Sequence, residues 1–289
     1  MKILLTGGSS DLATVLSYQK RDENDEFIRL DIRKPKNDVG TYIEGSILDR
    51  SLLNEATKNV DCIIHIAAWH GFHEITKEKN VYDFWDLNVT GTFNVFQSAV
   101  ENNVDKIIYI SSESVEDLYG IYGHTKVIGE QIAETYAKRH NNLSIITLRP
   151  GIFIPHWNEH VYNTYIEWVR WFWKGAVHIN DVAQAVKNSI DFLEEKKVTG
   201  HIILPVDGAY EYTSEDLASW DAGGSGSTFK KHYAQYVDLI KQYDLDPSIK
   251  PTIQDITRTT TLLNYHPQYS LRSLLGDLEK YGPQGPSGF

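Results

Sequence analysis

The chain has 289 residues, with 28 Lys and Arg against 39 Asp and Glu and a formal net charge of −11. No basic cluster is dense enough to follow a phosphate backbone, so nucleic acid is not an expected partner. With 41% hydrophobic residues the chain can bury a sizeable core, and no stretch approaches the roughly 20 apolar residues of a membrane span.

The opening MKILLTGG reaches a glycine turn too soon for a secretory signal and reads as a first strand. The single cysteine, Cys62, excludes an intramolecular disulfide and fits a reducing compartment, so a cytoplasmic protein is expected. Short β-rich runs follow at 2–5, 26–30, 41–44, 61–66, 106–110 and 143–148. Helical spacing occupies 81–101 and 122–139. Strand and helix in alternation imply crossover connections and a doubly wound parallel sheet of Rossmann type. VDCIIHIAA is almost wholly apolar, as a strand buried on both faces should be.

Past Pro150 the rhythm changes. Residues 151–175 are rich in aromatics, a helix resumes over 178–195, and GHIILPV supplies a last strand. This predicts an α/β nucleotide-binding domain over 1–150 plus 176–205. A smaller, mostly helical lobe is predicted from 151–175 plus 206–280, followed by a flexible tail at 281–289. GGSGS (Gly223–Ser227) reads as a flexible loop.

Two stretches carry chemistry. In ILLTGGSSDLA a strand meets a glycine turn and a helix start. Gly7 and Gly8 allow a tight turn, Ser10 or Asp11 can cap the helix, and its free N–H groups form an anion site for a pyrophosphate. Asp31 ends the second apolar run, where a carboxylate accepts hydrogen bonds from ribose hydroxyls and repels a 2′-phosphate. That favours NAD, while Arg33 and Lys34 beside it leave NADP open. The plainer alternative for Asp31 is a surface carboxylate in a loop.

The second stretch is SSESVEDLYGIYGHTK, Ser111 to Lys126. On a helix Tyr122 and Lys126 share a face, so the ammonium is expected to lower the phenol toward working pH and let it take a proton from a substrate hydroxyl. Ser112, at the end of the fifth strand, can donate to the developing carbonyl. The alternative is a solvated helix pair.

On the strings ILLTGGSSDLA, VDCIIHIAAW, DLNVTGTFNVFQSAVENNVDKIIYISS, YGHTK, ITLRPG, VHINDVAQAV and LLNYHPQYSLRSLL, the chain resembles the extended short-chain dehydrogenases/reductases, the NAD-dependent epimerase/dehydratase family. The resemblance implies an enzyme with Ser112, Tyr122 and Lys126 as its catalytic triad. It implies NAD(P) along Gly7, Gly8, Ser9, Ser10, Asp11 and Leu12, then at Asp31 and Arg33, Ser46 and Ile47, and Ala67 and Ala68. Asn88, Ile110, Tyr122, Lys126, Pro150 and Phe153 complete the cofactor set. Substrate contacts are expected from Trp69, His73, Ser112, Glu113, His124, Gly151 and Arg170. A homodimer built on two helices from each subunit is also implied.

Several departures bear on substrate. Ser10 and Ala13 stand where the family usually has glycines, and Ser46 replaces an aspartate often found near the adenine. Only nine residues separate Ser112 from Tyr122, far fewer than extended members normally carry. The segment from Pro150 to His178 is short as well. Little protein is left to enclose a nucleotide diphosphate, which favours a small-molecule substrate such as a free sugar or uronic acid. A nucleotide-sugar epimerase or dehydratase with retained NAD, and a non-catalytic dinucleotide-binding protein, stand as alternatives. Tyr165, Trp168 and Phe172 have core spacing, though an aromatic face can also stack on a sugar ring. His70 with His73, and His156 with His160, lack a third ligand in a recognisable pattern, so no metal is expected.

Overall fold

The computed structural model of the protein describes residues 1–116, 120–195 and 199–287. It divides into two compact units: 1–150 with 182–206 and 256–265, and 151–181 with 207–255 and 266–289.

The first unit is built on a parallel sheet of seven strands, β1 (Lys2–Thr6), β2 (Glu26–Asp31), β3 (Thr41–Glu44), β4 (Cys62–His65), β5 (Lys106–Ile110), β6 (Ser144–Pro150) and β7 (Gly200–Val206). Their order is β3-β2-β1-β4-β5-β6-β7. The chain reverses direction across the sheet between β1 and β4, the switch point where such sheets hold ligands beyond the carboxyl ends of their strands. β4 is CIIH and β5 KIIYI. Branched residues fill both faces because helices cover both.

The helices are α1 (Asp11–Tyr18), α2 (Arg50–Ala56), α3 (Gly71–Ile75), α4 (Val81–Phe84), α5 (Thr92–Glu101) and α6 (Ile121–Arg139). The run over 81–101 is not one regular helix. Trp85–Gly91 between α4 and α5 is π-helical, a wider turn that shifts the phase of the side chains after it and often marks functional positions. One core joins Leu4, Leu30 and Ile63 of the sheet to Val95 and Phe96 of α5 and Ala133 of α6.

In the second unit α7 (Tyr165–Phe172) supplies Tyr165, Trp168 and Phe172 to a core. The Trp168 indole donates to the Ile154 carbonyl at 3.0 Å, satisfying its one polar atom. Helix α8 (Ile179–Glu195) leads back to β7, and α9 (Ser214–Ala218), α10 (Ser227–Tyr233) and α11 (Val237–Gln242) follow. α12 (Thr257–Leu263) and α13 (Leu271–Tyr281) complete the chain.

Three expectations are corrected. Residues 256–265, assigned to the lobe, belong to the first unit, where Thr259 donates to the Pro205 carbonyl at 2.5 Å. Gly223–Ser227 is not an open loop: the Asp221 carboxylate accepts from the Gly226 and Thr228 N–H groups at 2.8 and 3.2 Å, and Ser227 already opens α10. The tail is docked at 285–286: Gly285 lies against the Tyr165 ring, and His156 bonds the Pro286 carbonyl at 3.2 Å. Residues 288–289 lie outside the described residues. No described helix is long and apolar enough to cross a membrane.

Phe96 is wholly buried in the first core. Phe96→Ala is expected to cost about 3–5 kcal/mol, the usual range for removing a core aromatic, read as a shift in the denaturant midpoint at unchanged slope.

Candidate active site

At the end of β1 the chain turns through Gly7, whose φ is +69°. A Cβ there would stand 2.7 Å from the Ala67 nitrogen, and one on Gly8 2.6 Å from Cβ of Arg29. Glycine is required at both positions, and the first brings the Ala67–Ala68 segment hard against the turn. Ser10 caps α1, accepting from the Ala13 N–H at 3.3 Å, so the capping choice falls on Ser10 rather than Asp11. The small, buried Ala13 lets α1 lie close to the sheet.

Asp31 at the end of β2 accepts from the Ser9 N–H at 2.9 Å through one oxygen and from the Arg33 N–H at 2.9 Å through the other. Its carboxylate is thereby fixed beside the glycine turn with lone pairs to spare. The Arg33 side chain is exposed, its Nε 4.0 Å from Asp31. Ser46 accepts from the Leu48 N–H at 3.2 Å, and the carbonyl of buried Ile47 accepts from Asn94 at 3.0 Å.

Asn88 lies in the π-helical segment and is buried. Its oxygen accepts from the Trp69 N–H at 2.8 Å, while its nitrogen donates to the Trp69 carbonyl at 2.9 Å and to the Thr125 hydroxyl at 3.0 Å. Thr125 donates to the Tyr122 carbonyl at 2.8 Å. Behind Asn88 the chain continues inward. The Asn88 carbonyl accepts from Thr92, and the His65 ring bonds Thr92 at 2.9 Å and Thr6 at 2.7 Å. Burial pushes the His65 imidazole down to about 3, so this chain is neutral.

Ser111 and Ser112, adjacent at the end of β5, do different things. The Ser111 hydroxyl donates to Glu130 at 2.6 Å. The Ser112 hydroxyl donates to that of Ser114 at 3.1 Å and accepts from the Ser114 N–H at 3.1 Å. Lys126 is buried and donates to the Ile110 carbonyl at 2.7 Å, with its nitrogen 5.9 Å from the centre of the Tyr122 ring. Burial lowers the Lys126 amine to about 7, against the pull of Glu130 toward the charged form. The expected lowering of the Tyr122 phenol is not what the site shows. Burial pushes it up to about 12, opposed by the Ser112 hydroxyl and reinforced by Glu113. The lysine is turned to the Ile110 carbonyl, and desolvation of the phenolate decides the direction.

Trp69 and His73 come together, their rings 5.0 Å apart and edge to face. His124 is exposed, and standing two residues along the helix it does not share a face with Tyr122. Pro150 ends β6, whereas Gly151, Phe153 and Arg170 belong to the second unit, Gly151 buried and Arg170 exposed. Residues 117–119 of the short Ser112–Tyr122 loop lie outside the described residues.

Three residues of this region were not anticipated. Glu130 follows Lys126 by the same four-residue step that links Lys126 to Tyr122, so its place was readable. It is held by Arg149 at 2.6 and 2.8 Å. Glu74 and Gly71 on α3 approach Tyr122 from far away in the chain, and no local pattern announces them.

A family model described as the NAD dependent epimerase/dehydratase family matches residues 3–170. The chain belongs to that family. UDP-glucose 4-epimerase of Erwinia amylovora is 28% identical over 183 residues, covering 52% of this chain and 52% of the relative. L-arabinose 1-dehydrogenase (NAD(P)(+)) of Haloferax volcanii is 25% identical over 169 residues, covering 48% and 56%. The chain thus spans about half the length of the curated relatives it matches. Among solved structures, UDP-glucuronic acid 4-epimerase from Bacillus cereus, in complex with UDP-glucuronic acid and NAD, superposes with a TM-score of 0.70. It is 20% identical, with 97% of this chain and 98% of that one covered.

The Lys126 amine gives a stability signature. From about pH 7 to its ordinary 10.5 the unfolded chain holds a proton that the folded chain has released, so stability rises with pH across that window. Lys126→Met is expected to remove this rise and to be more stable than the parent below pH 7, in denaturant titrations at a series of pH values. An unchanged slope would assign the titration to another group.

Proposed function

We propose that this chain is an NAD-dependent oxidoreductase that oxidises a hydroxyl of a small carbohydrate, a free sugar or uronic acid, with Ser112, Tyr122 and Lys126 at the reacting carbon. The observation that carries the reading is the placing of Ser112 just past the carboxyl end of β5, with Tyr122 in the first turn of α6 and the buried Lys126 amine 5.9 Å from the centre of the tyrosine ring. The glycine cradle, the first turn of α1 and the fixed Asp31 carboxylate suit a dinucleotide, and a carboxylate at that point disfavours a 2′-phosphate.

NAD, when bound, supplies the hydride acceptor. Tyr122 takes the proton of the substrate hydroxyl as hydride leaves the carbon, and Ser112 donates to the oxygen that becomes a carbonyl. Lys126, charged, stabilises the phenolate that burial disfavours. Asn88 and Thr125 hold the backbone of Tyr122 in place while the proton moves. The second unit is read as the substrate lobe. A dehydrogenase is favoured over an epimerase because only nine residues separate Ser112 from Tyr122, leaving little chain to enclose a nucleotide diphosphate.

A homodimer is part of this reading. α5 and α6 border an open groove of about 460 Å³ lined by Phe93, Gln97, Ile128, Ile132 and Tyr136, and Phe93 is 44% exposed. A cytoplasmic location is part of the reading, since a single cysteine, Cys62, leaves no intramolecular disulfide to form.

The deciding experiment incubates the protein with NAD or NADP and a panel of free sugars, uronic acids and nucleotide sugars. Reduced nicotinamide is expected with NAD and a free sugar or uronic acid, and its loss in Tyr122→Phe. An epimer formed from a nucleotide sugar without net reduction would overturn the dehydrogenase reading. By sedimentation, the protein is expected as a dimer that Phe93→Asp dissociates; a monomeric parent would exclude the dimer.

A further inference from the structure

The leading N–H groups of a helix have no partners within it, and the catalytic helix α6 begins at Gly120, which offers no capping side chain. Two of these groups are satisfied from another part of the chain. Glu74 accepts from the Ile121 N–H at 2.8 Å through one oxygen and from the Tyr122 N–H at 3.0 Å through the other. A negative carboxylate also suits the positive end of a helix. Gly120 leaves the room for it, since a Cβ there would come within 2.8 Å of the carboxylate.

The same small helix touches Tyr122 a second way. A Cβ built on Gly71 would stand 3.4 Å from Cδ1 of the Tyr122 ring, so α3 opens with its backbone against that ring. Yet α3 buries none of its residues. Its own fold is a single turn closed by His70 and His73. The Glu74 carboxylate joins it to the first turn of α6. The helix carries His73, which meets Trp69 edge to face at 5.0 Å.

We propose that Glu74 is a positioning residue that fastens α3 to the first turn of α6, setting the Tyr122 ring against Gly71. This rests on the reading of Tyr122 as the proton acceptor. Where the loop before Tyr122 is short, a carboxylate from α3 takes over both the capping of the catalytic helix and the placing of its tyrosine. Small misplacements of a reacting group lower the rate steeply, so the tie acts on turnover rather than on cofactor affinity.

The test compares Glu74→Ala, Glu74→Gln and the double variant Glu74→Ala/Gly120→Ser, which supplies a local cap in the space the carboxylate leaves. The readouts are kcat and KM, NAD affinity, amide exchange at Ile121 and Tyr122, and the ring-current shift of the Gly71 amide. Glu74→Ala is expected to lose exchange protection and the Gly71 shift and to lower kcat by about tenfold or more, with NAD affinity unchanged. Glu74→Gln, keeping one acceptor, falls between. The double variant is expected to regain protection but neither the Gly71 shift nor kcat. Full recovery of all three would reduce Glu74 to a helix cap and overturn the proposal, as would a Glu74→Ala protein with the parent shift and kcat. Absence of turnover in the parent would instead sink the functional reading; the Gly71 shift then decides the placement of Tyr122 alone.

Discussion

The side-chain amide of Asn88 is the constraint on which the first unit's site depends. It grips both backbone groups of Trp69 and the hydroxyl of Thr125, so three segments remote in sequence share one fixed geometry. Through Thr92, His65 and Thr6 the same chain of hydrogen bonds reaches the end of β1, where the glycine turn starts. A buried polar network is costly unless every member is paired. Here the pairing is achieved by a neutral histidine between two hydroxyls: Thr92 donates to the Asn88 carbonyl and so accepts from the ring at Nε2, which leaves Nδ1 to accept from Thr6. The π-helical turn places Asn88 and Thr92 on this network while Val95 and Phe96 still point into the core.

Charge in the site is arranged around the same helix. Tyr122, Lys126 and Glu130 succeed one another along one face of α6. Glu130 is neutralised by Arg149, which also holds Glu116 at 2.9 Å, and its remaining field favours a charged Lys126. Burial works against that charge, and against the Tyr122 phenolate as well. Both groups are therefore held toward their neutral forms by the surroundings. A proton passed to Tyr122 is kept, and the phenolate depends on whatever positive charge reaches it. The pairing of a raised acid with a lowered base is a common mark of catalytic sites.

Much of this was legible in the sequence, for local reasons. Each strand was a short branched apolar run bounded by turn residues, and the glycine turn followed directly on the first. The Tyr122–Lys126 step shows a shared face because helical spacing is local. What escaped is what the fold assembles at a distance. Glu74 meets Tyr122 across a sequence separation of 48, and no window of the sequence contains both. The π-helical turn inside 81–101 keeps helical composition, so periodicity alone reads straight through it. Gly223–Ser227 looked loose because composition does not show that Asp221 would hold it. The lowering expected for the Tyr122 phenol failed because spacing gives proximity and says nothing of burial, which here decides the sign.

The central claim is that hydride leaves a small carbohydrate at Ser112, Tyr122 and Lys126 and stays on the cofactor. The most direct measurement follows deuterium from a free sugar or uronic acid labelled at all its carbon-bound hydrogens, with product and nicotinamide analysed by nuclear magnetic resonance. Deuterium is predicted on the reduced nicotinamide, with the sugar oxidised. Label retained in full on the sugar, while a nucleotide sugar given in parallel is epimerised, would contradict the account.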